Sequence, residues 1–204
     1  YKLSDVLYQE HPEIEEMISK GHKYDVGSGI FSKLENIIFF VDKPDDGDEY
    51  VQFLGRMNNQ RTYMWMKRKY VNCPENFEHY KVFVPKANGS GALGEVLSTP
   101  LIGAPLIGAT QTFISIGNFD TDDEAQACLK YVKTKFARAM LGVLKATQNN
   151  TRETWKYVPM QDFTANSDID WSQSVADIDR QLYEKYGLDD DEIAFIEKNV
   201  KAMP

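Results

Sequence analysis

The sequence predicts an α+β fold, a mixed or antiparallel sheet packed on a long helix with a helical hairpin at the C-terminus. Three observations carry this. Several apolar, aromatic-rich runs have the length of strands, one later segment has a sustained helical period, and two capped helical segments close the chain. Taken in order, "LSDVLYQEHPEIEEMIS" (3–19) predicts one or two short helices, with Pro12 able to open the second and Gly21 as a stop. "NIIFFVD" (36–42) predicts a first strand, closed by the turn-like "KPDDGDE". Further strands are expected at about 49–54, in "HYKVFVPK" (79–86) and in "QTFISIG" (111–117). Between the last two lies "ANGSGALGEVLSTPLIGAPLIGA", rich in Gly and Pro, expected to be irregular and partly exposed.

The long helix is expected from about 122 to 146. Thr121 and Glu124 have the spacing of a capping box, which stabilises a helix start by about 1 kcal/mol. Ala125, Cys128, Leu129, Val132, Phe136, Met140, Val143 and Leu144 form one apolar stripe, leaving Lys130, Lys133 and Arg138 for solvent or a ligand. After a short strand in "YVPMQDF", helices are expected at about 175–186, ended by Gly187, and 190–202, opened by Asp189 with Glu192 three residues on. A boundary near Ser167 divides the chain into an α+β unit, 1–166, and an appended acidic hairpin, 167–204.

With 204 residues, 42% of them hydrophobic, the chain can bury a real core. No run reaches the roughly 18 apolar residues of a membrane span, and no signal segment opens the chain. The start at Tyr1, without an initiator Met, suggests a piece of something longer. Two distant cysteines, Cys73 and Cys128, predict a reducing, cytoplasmic setting rather than a disulfide framework, and the scattered His11, His22 and His79 offer no zinc pattern. No G-x-S-x-G elbow or H-E-x-x-H motif supports a self-contained hydrolase.

Charge is unevenly distributed. From Met160 onward eleven acids stand against four bases, so −7 of the chain's net −8 sits in the tail. Three basic, amide-rich segments precede it: "RMNNQRTYMWMKRK" (56–69), the Gly-rich "PKANGSGALGE" (85–95), and "KATQNNTRETWKY" (145–157). Such segments suit a polyanion, although each also has the reading of a solvated face or a connecting loop. Guanidinium and ammonium groups hold phosphates, while Asn and Gln pair a donor with an acceptor as adenine edges require. The candidate DNA-binding residues are Arg56, Asn58, Asn59, Arg61, Lys67, Arg68, Lys69, Lys86, Asn88, Gln148, Asn149 and Arg152. The glycines of 85–95 could cradle phosphate, but the G-K-[ST] ending of a nucleotide-hydrolysing loop is absent. A rival reading is a metal-dependent endonuclease, with Asp42, Asp45, Asp46 and Asp48 converging near a lysine. Another is a protein-interaction or scaffolding domain.

The second half, "FDTDDEAQACLKYVKTKFARAMLGVLKATQNNTRETWKYVPMQDFT" followed by "DIDRQLYEKYGLDDDEIAFIEKNVKAMP", resembles the C-terminal target-recognition region of bacterial type II restriction-modification proteins that carry an adenine-N6 DNA methyltransferase. "YKVFVPKANGSGALGE" resembles the central part of that region; the likeness covers roughly 50–204, and residues 1–49 match only in general character. The resemblance implies a parent enzyme using S-adenosylmethionine, and magnesium if a nuclease is fused to it. The partners it implies are double-stranded DNA and the catalytic methyltransferase domain of the parent chain. This chain lacks N-P-P-Y or D-P-P-Y and F-x-G-x-G motifs, so the expectation for it is recognition without catalysis.

Overall fold

The structure, a computed structural model, describes residues 1–87, 92–145 and 147–203. The architecture is α+β, with antiparallel and mixed sheets and the longer helices in the C-terminal half. The first fifty residues supply β1 (Lys2–Leu3) and the short helices α1 (Asp5–Glu10), α2 (Ile14–Met17) and α3 (Ile30–Leu34). Their apolar side chains cover the sheet that follows: Leu3, Leu7, Ile14, Phe31 and Leu34 pack with Val51, Phe53, Met64 and Met66 in one core. Packing is close enough that a Cβ on Gly55 would lie 2.5 Å from the Phe31 ring, which is why the strand carries glycine there.

The strand expected at 36–42 is a turn. Asn36 adopts a positive φ of 58°, and the N–H groups of Ile37, Ile38 and Phe39 all donate to the Leu34 carbonyl. Asn tolerates this left-handed backbone, and the turn buries Ile38 and Phe39 without a ladder. Only Phe40 reaches the sheet, exchanging both backbone hydrogen bonds with Trp65.

β2 (Tyr50–Met57) and β3 (Gln60–Lys67) pair antiparallel along all eight residues. The basic block of 56–69 is therefore largely a strand. Met64 and Met66 point into the core and Tyr63 and Trp65 lie on the more open face, the two-residue period of a half-buried strand. Asn58 and Asn59, with φ of 51° and 62°, form the connecting two-residue turn; both central positions of such a turn need positive φ, a conformation asparagine accepts. β4 (Val71–Asn72) pairs with β1. β5 (Tyr80–Pro85) is flanked by β6 (Leu101–Gly103) and β8 (Phe113–Phe119), while β7 (Ile107–Ala109) adds in parallel to β2. The Gly- and Pro-rich segment thus contributes a short strand to each of the two three-stranded sheets, and Leu54, Phe83, Ala109 and Phe113 join those two sheets at their meeting point.

Beneath that junction the Lys81 ammonium is enclosed and donates to the carbonyls of Phe77, His79 and Ala104 at 2.9–3.1 Å. Burial brings its pKa down to about 8. An unfolded lysine titrates near 10.5, so between these values the unfolded chain binds the extra proton and stability contributed here rises with pH. Denaturant midpoints of the protein and of Lys81→Met, compared at successive pH values from about 8 to about 9.5, are expected to show a positive difference in slope for the parent; parallel curves would refute the assignment.

The single helix expected over 122–146 is two: α4 (Asp122–Lys133) and α5 (Lys135–Leu144). Thr134 turns out of the helix (ψ 150°) and its hydroxyl caps the Ala137 N–H at 3.1 Å. The buried Asp179 carboxylate accepts from the N–H groups of Lys135 (2.9 Å) and Phe136 (2.8 Å), fixing the new start. The redirection also changes the expected faces. Arg138 is buried, Lys130 donates to the carbonyls of Trp171, Ser172 and Gln173, and Val143 and Leu144 are exposed.

"YVPMQDF" is no strand; it crosses α4 irregularly, its Pro159 carbonyl accepting from the Tyr131 hydroxyl at 2.6 Å. α6 (Val175–Lys185) and α7 (Asp190–Asn199) form the hairpin. Gly187, at φ 64°, lets the Leu188 and Gly187 N–H groups close on Tyr183 and Glu184, and Asp189 with Glu192 completes a reciprocal capping box. Ile178, Leu182, Ile196 and Val200 share a core with Val82, Val84, Cys128, Val132 and Phe136, so the hairpin is packed into the same body as the second sheet. Among the described residues no helix is long and apolar enough to cross a membrane.

Candidate nucleic-acid interface

Where the two sheets meet, the chain leaves a polar cleft of about 540 Å³. The β2–β3 hairpin supplies Arg56, Asn59 and Arg61, the end of β5 supplies Lys86, and the approach to β8 supplies Gln111 and Thr112. Asn149 enters because its segment is stitched to the end of β5. The Asn150 N–H donates to the Lys86 carbonyl (2.6 Å), the Asn150 amide to Pro85 (2.9 Å), and Asn149 bridges Ala87. The Lys86 N–H in turn donates to Thr112 at 2.8 Å. Sequence positions some sixty residues apart are thereby held on one wall.

Among the described residues the lining holds three cations, Arg56, Arg61 and Lys86, and no acid. They are not equivalent. Arg61 donates to the carbonyls of Ser98 (2.9 Å) and Thr99 (2.6 Å) and lies 5.5 Å from the Phe113 ring centre, so it straps the 98–99 segment to the hairpin. Arg56 donates to the Asn59 carbonyl at 2.8 Å, its one bond among the described residues, and both Arg56 and Lys86 are exposed. These two are the cations best placed to take an anionic ligand. Asn58 and Asn59 owe their place first to the turn, but that turn carries both amides to an exposed tip beside Arg56.

The structure brings Arg56, Asn59, Arg61, Lys86 and Asn149 together; Gln148 and Arg152 lie exposed on the segment to either side of Asn149, and Asn88 lies outside the described residues, as does the centre of the Gly-rich loop. Lys67, Arg68 and Lys69, expected beside them as DNA-binding residues, do not line this cleft. Six residues along β3 from Arg61, or about 20 Å, Lys67 is gripped by Asp46 and Asp48, whose carboxylates raise its pKa. Lys69 pairs with Glu10 (2.6 Å) and Arg68 with Glu78 (3.7 Å), so all three charges face acids. The same pairing uses Asp46 and Asp48 as partners for Lys67, and among the described residues no group of three or more His, Cys, Asp or Glu side chains converges as a metal site would require.

Gln111, Thr112, Ser98, Thr99 and Ser28 also line the cleft, and the sequence reading missed them. Nothing local marks them, since their role depends on which strands become neighbours. The chain matches no family model, no curated protein and no solved structure. The functional reading therefore stands on the chemistry of the cleft and on the resemblance of its motifs.

Proposed function

We propose that the chain is the DNA target-recognition region of a restriction-modification adenine-N6 methyltransferase, or of a restriction enzyme fused to one, and that the cleft contacts the DNA backbone. The observation that supports this is a lining that, among the described residues, has three cations and several amides with no acid, in a protein whose net charge is −8. Arg56 and Lys86 would hold phosphates on opposite walls. The hairpin tip at Asn58 and Asn59 is a two-stranded ribbon, a shape the major groove admits, and with Gln148 and Asn149 it would present amides to base edges. Catalysis would belong to the parent enzyme's S-adenosylmethionine domain, which would extrude the target adenine while this region holds the register. The acidic C-terminal hairpin would face that domain rather than DNA.

The test is fluorescence anisotropy against a mixed-sequence duplex over rising salt. With Arg56, Lys86 and Arg152 as phosphate contacts, the slope of log affinity against log salt is expected to be about −3, since each contact releases roughly 0.9 counterion. Polyglutamate should bind far more weakly. A flat slope, or equal binding of polyglutamate, would reject the proposal.

A further inference from the structure

The C-terminal half carries a second concavity, unrelated to the cationic cleft and sharing no lining residue with it. It is a groove of about 790 Å³ between α5 and α7, floored by Phe136 and Ile196 and walled by Leu93, Met140, Val143 and Phe195. Val143 is 62% exposed and Phe195 54%. Among the described residues Asp191 and Glu192 are the only charged ones of the lining. They belong to the run Asp189–Glu192 that opens α7, and Glu192 is already engaged in the capping box, leaving Asp191 the freer carboxylate.

We infer that this groove docks an amphipathic helix of a partner, with Lys or Arg flanking its apolar face. Two physical arguments select that occupant. The walls are helices with apolar side chains, so they offer almost nothing to bond a guest's backbone; a guest must satisfy its own N–H and C=O groups, as a helix does. The lining is acidic at one end and among the described residues has no base, so a basic flank is favoured and an acidic one repelled. Length agrees: α5 and α7 have ten residues each, about 15 Å, which matches roughly three turns of a docked helix. This reading is independent of DNA recognition, and either can fail without the other.

The probes are fluorescent synthetic helices of about fourteen residues, with Leu, Ile, Phe or Met at i, i+3, i+4 and i+7 and Lys on the flank. Controls are the same panel with Glu for Lys and with the order permuted. Saturable binding is expected for at least one Lys peptide, about tenfold tighter than its Glu counterpart. Asp191→Lys should invert that preference, and Phe195→Asp should abolish binding while leaving duplex affinity unchanged. Both positions are exposed, so both variants should fold, and a melting curve for each verifies it. Absence of saturation across the panel, equal binding of permuted peptides, or indifference to the sign of the flank would overturn the inference. So would light scattering that shows a dimer dissociated by Phe195→Asp, because the groove's occupant would then be a second copy of the chain.

Discussion

Reversing the charges of Arg56 and Lys86 together is expected to lower duplex affinity by about two to three orders of magnitude near physiological salt, with little change in stability. Each side chain is exposed, and neither straps the fold as Arg61 does. Each replacement removes a phosphate contact and sets a carboxylate where the contact was, so attraction lost and repulsion gained add in the same direction. The salt slope should fall by roughly two units or change sign, which is a different signature from partial unfolding. Reversing Lys67 and Lys69 is the matched control. Those residues do not line the cleft, Lys67 lying about 20 Å along β3 from Arg61, and they neutralise Asp46, Asp48 and Glu10, so their reversal should disturb local packing and leave affinity nearly intact. An equal loss of affinity from both pairs would mean that binding follows overall charge, and the cleft would lose its claim to be the site.

That contrast also shows what the sequence could and could not disclose. The strands at 49–54, 79–86 and 111–117 were legible because their apolar residues cluster between turn formers, and the last helices because their caps are local. β3 was hidden because its inward residues, Met64 and Met66, alternate with cations and aromatics that read as one basic block. The strand expected at 36–42 failed on a single backbone conformation, that of Asn36. The break at Thr134 follows no Gly or Pro; it is held by Asp179, forty-five residues further on, which no spacing within the helix can announce. The site was legible to a similar depth. Residue chemistry singled out Arg56, Asn59, Arg61, Lys86 and Asn149, and only the strand order could separate them from Lys67 or add Gln111 and Thr112.

Arg138 gives the largest effect expected on stability. On the helical stripe it falls on the solvent side, yet only 2% of it is exposed. Its Nε donates to the carbonyls of Lys133 (3.1 Å) and Thr134 (3.2 Å), and its terminal nitrogens reach those of Gly94, Glu95 and Lys201. One guanidinium therefore ties the start of α5 to the far end of the Gly-rich segment and to the residues after α7. Gly94 is close-fitting at that knot: its φ is 75°, and a Cβ there would lie 2.3 Å from the Asn199 carbonyl oxygen. The chain is held on one side of the segment at Lys86, by Thr112 and Asn150, and on the other by Arg138. Arg138→Met keeps the length and apolar stem but takes the guanidinium from all five carbonyls, of which Thr134 and Gly94 keep a backbone donor, and the expected loss is about 3–5 kcal/mol. For a chain of this size that is a fall in melting temperature on the order of 10 °C. Arg138→Lys should recover only part of it, because an ammonium cannot span three segments as a planar fork does. Hydrogen exchange supplies the local readout: the Lys201 N–H, which donates to the Gly94 carbonyl at 3.1 Å, should exchange faster than the α6 core in the Met variant. Unchanged protection at Lys201, or a loss below about 1 kcal/mol, would show that the apolar contacts of α7 alone hold the C-terminal end in place.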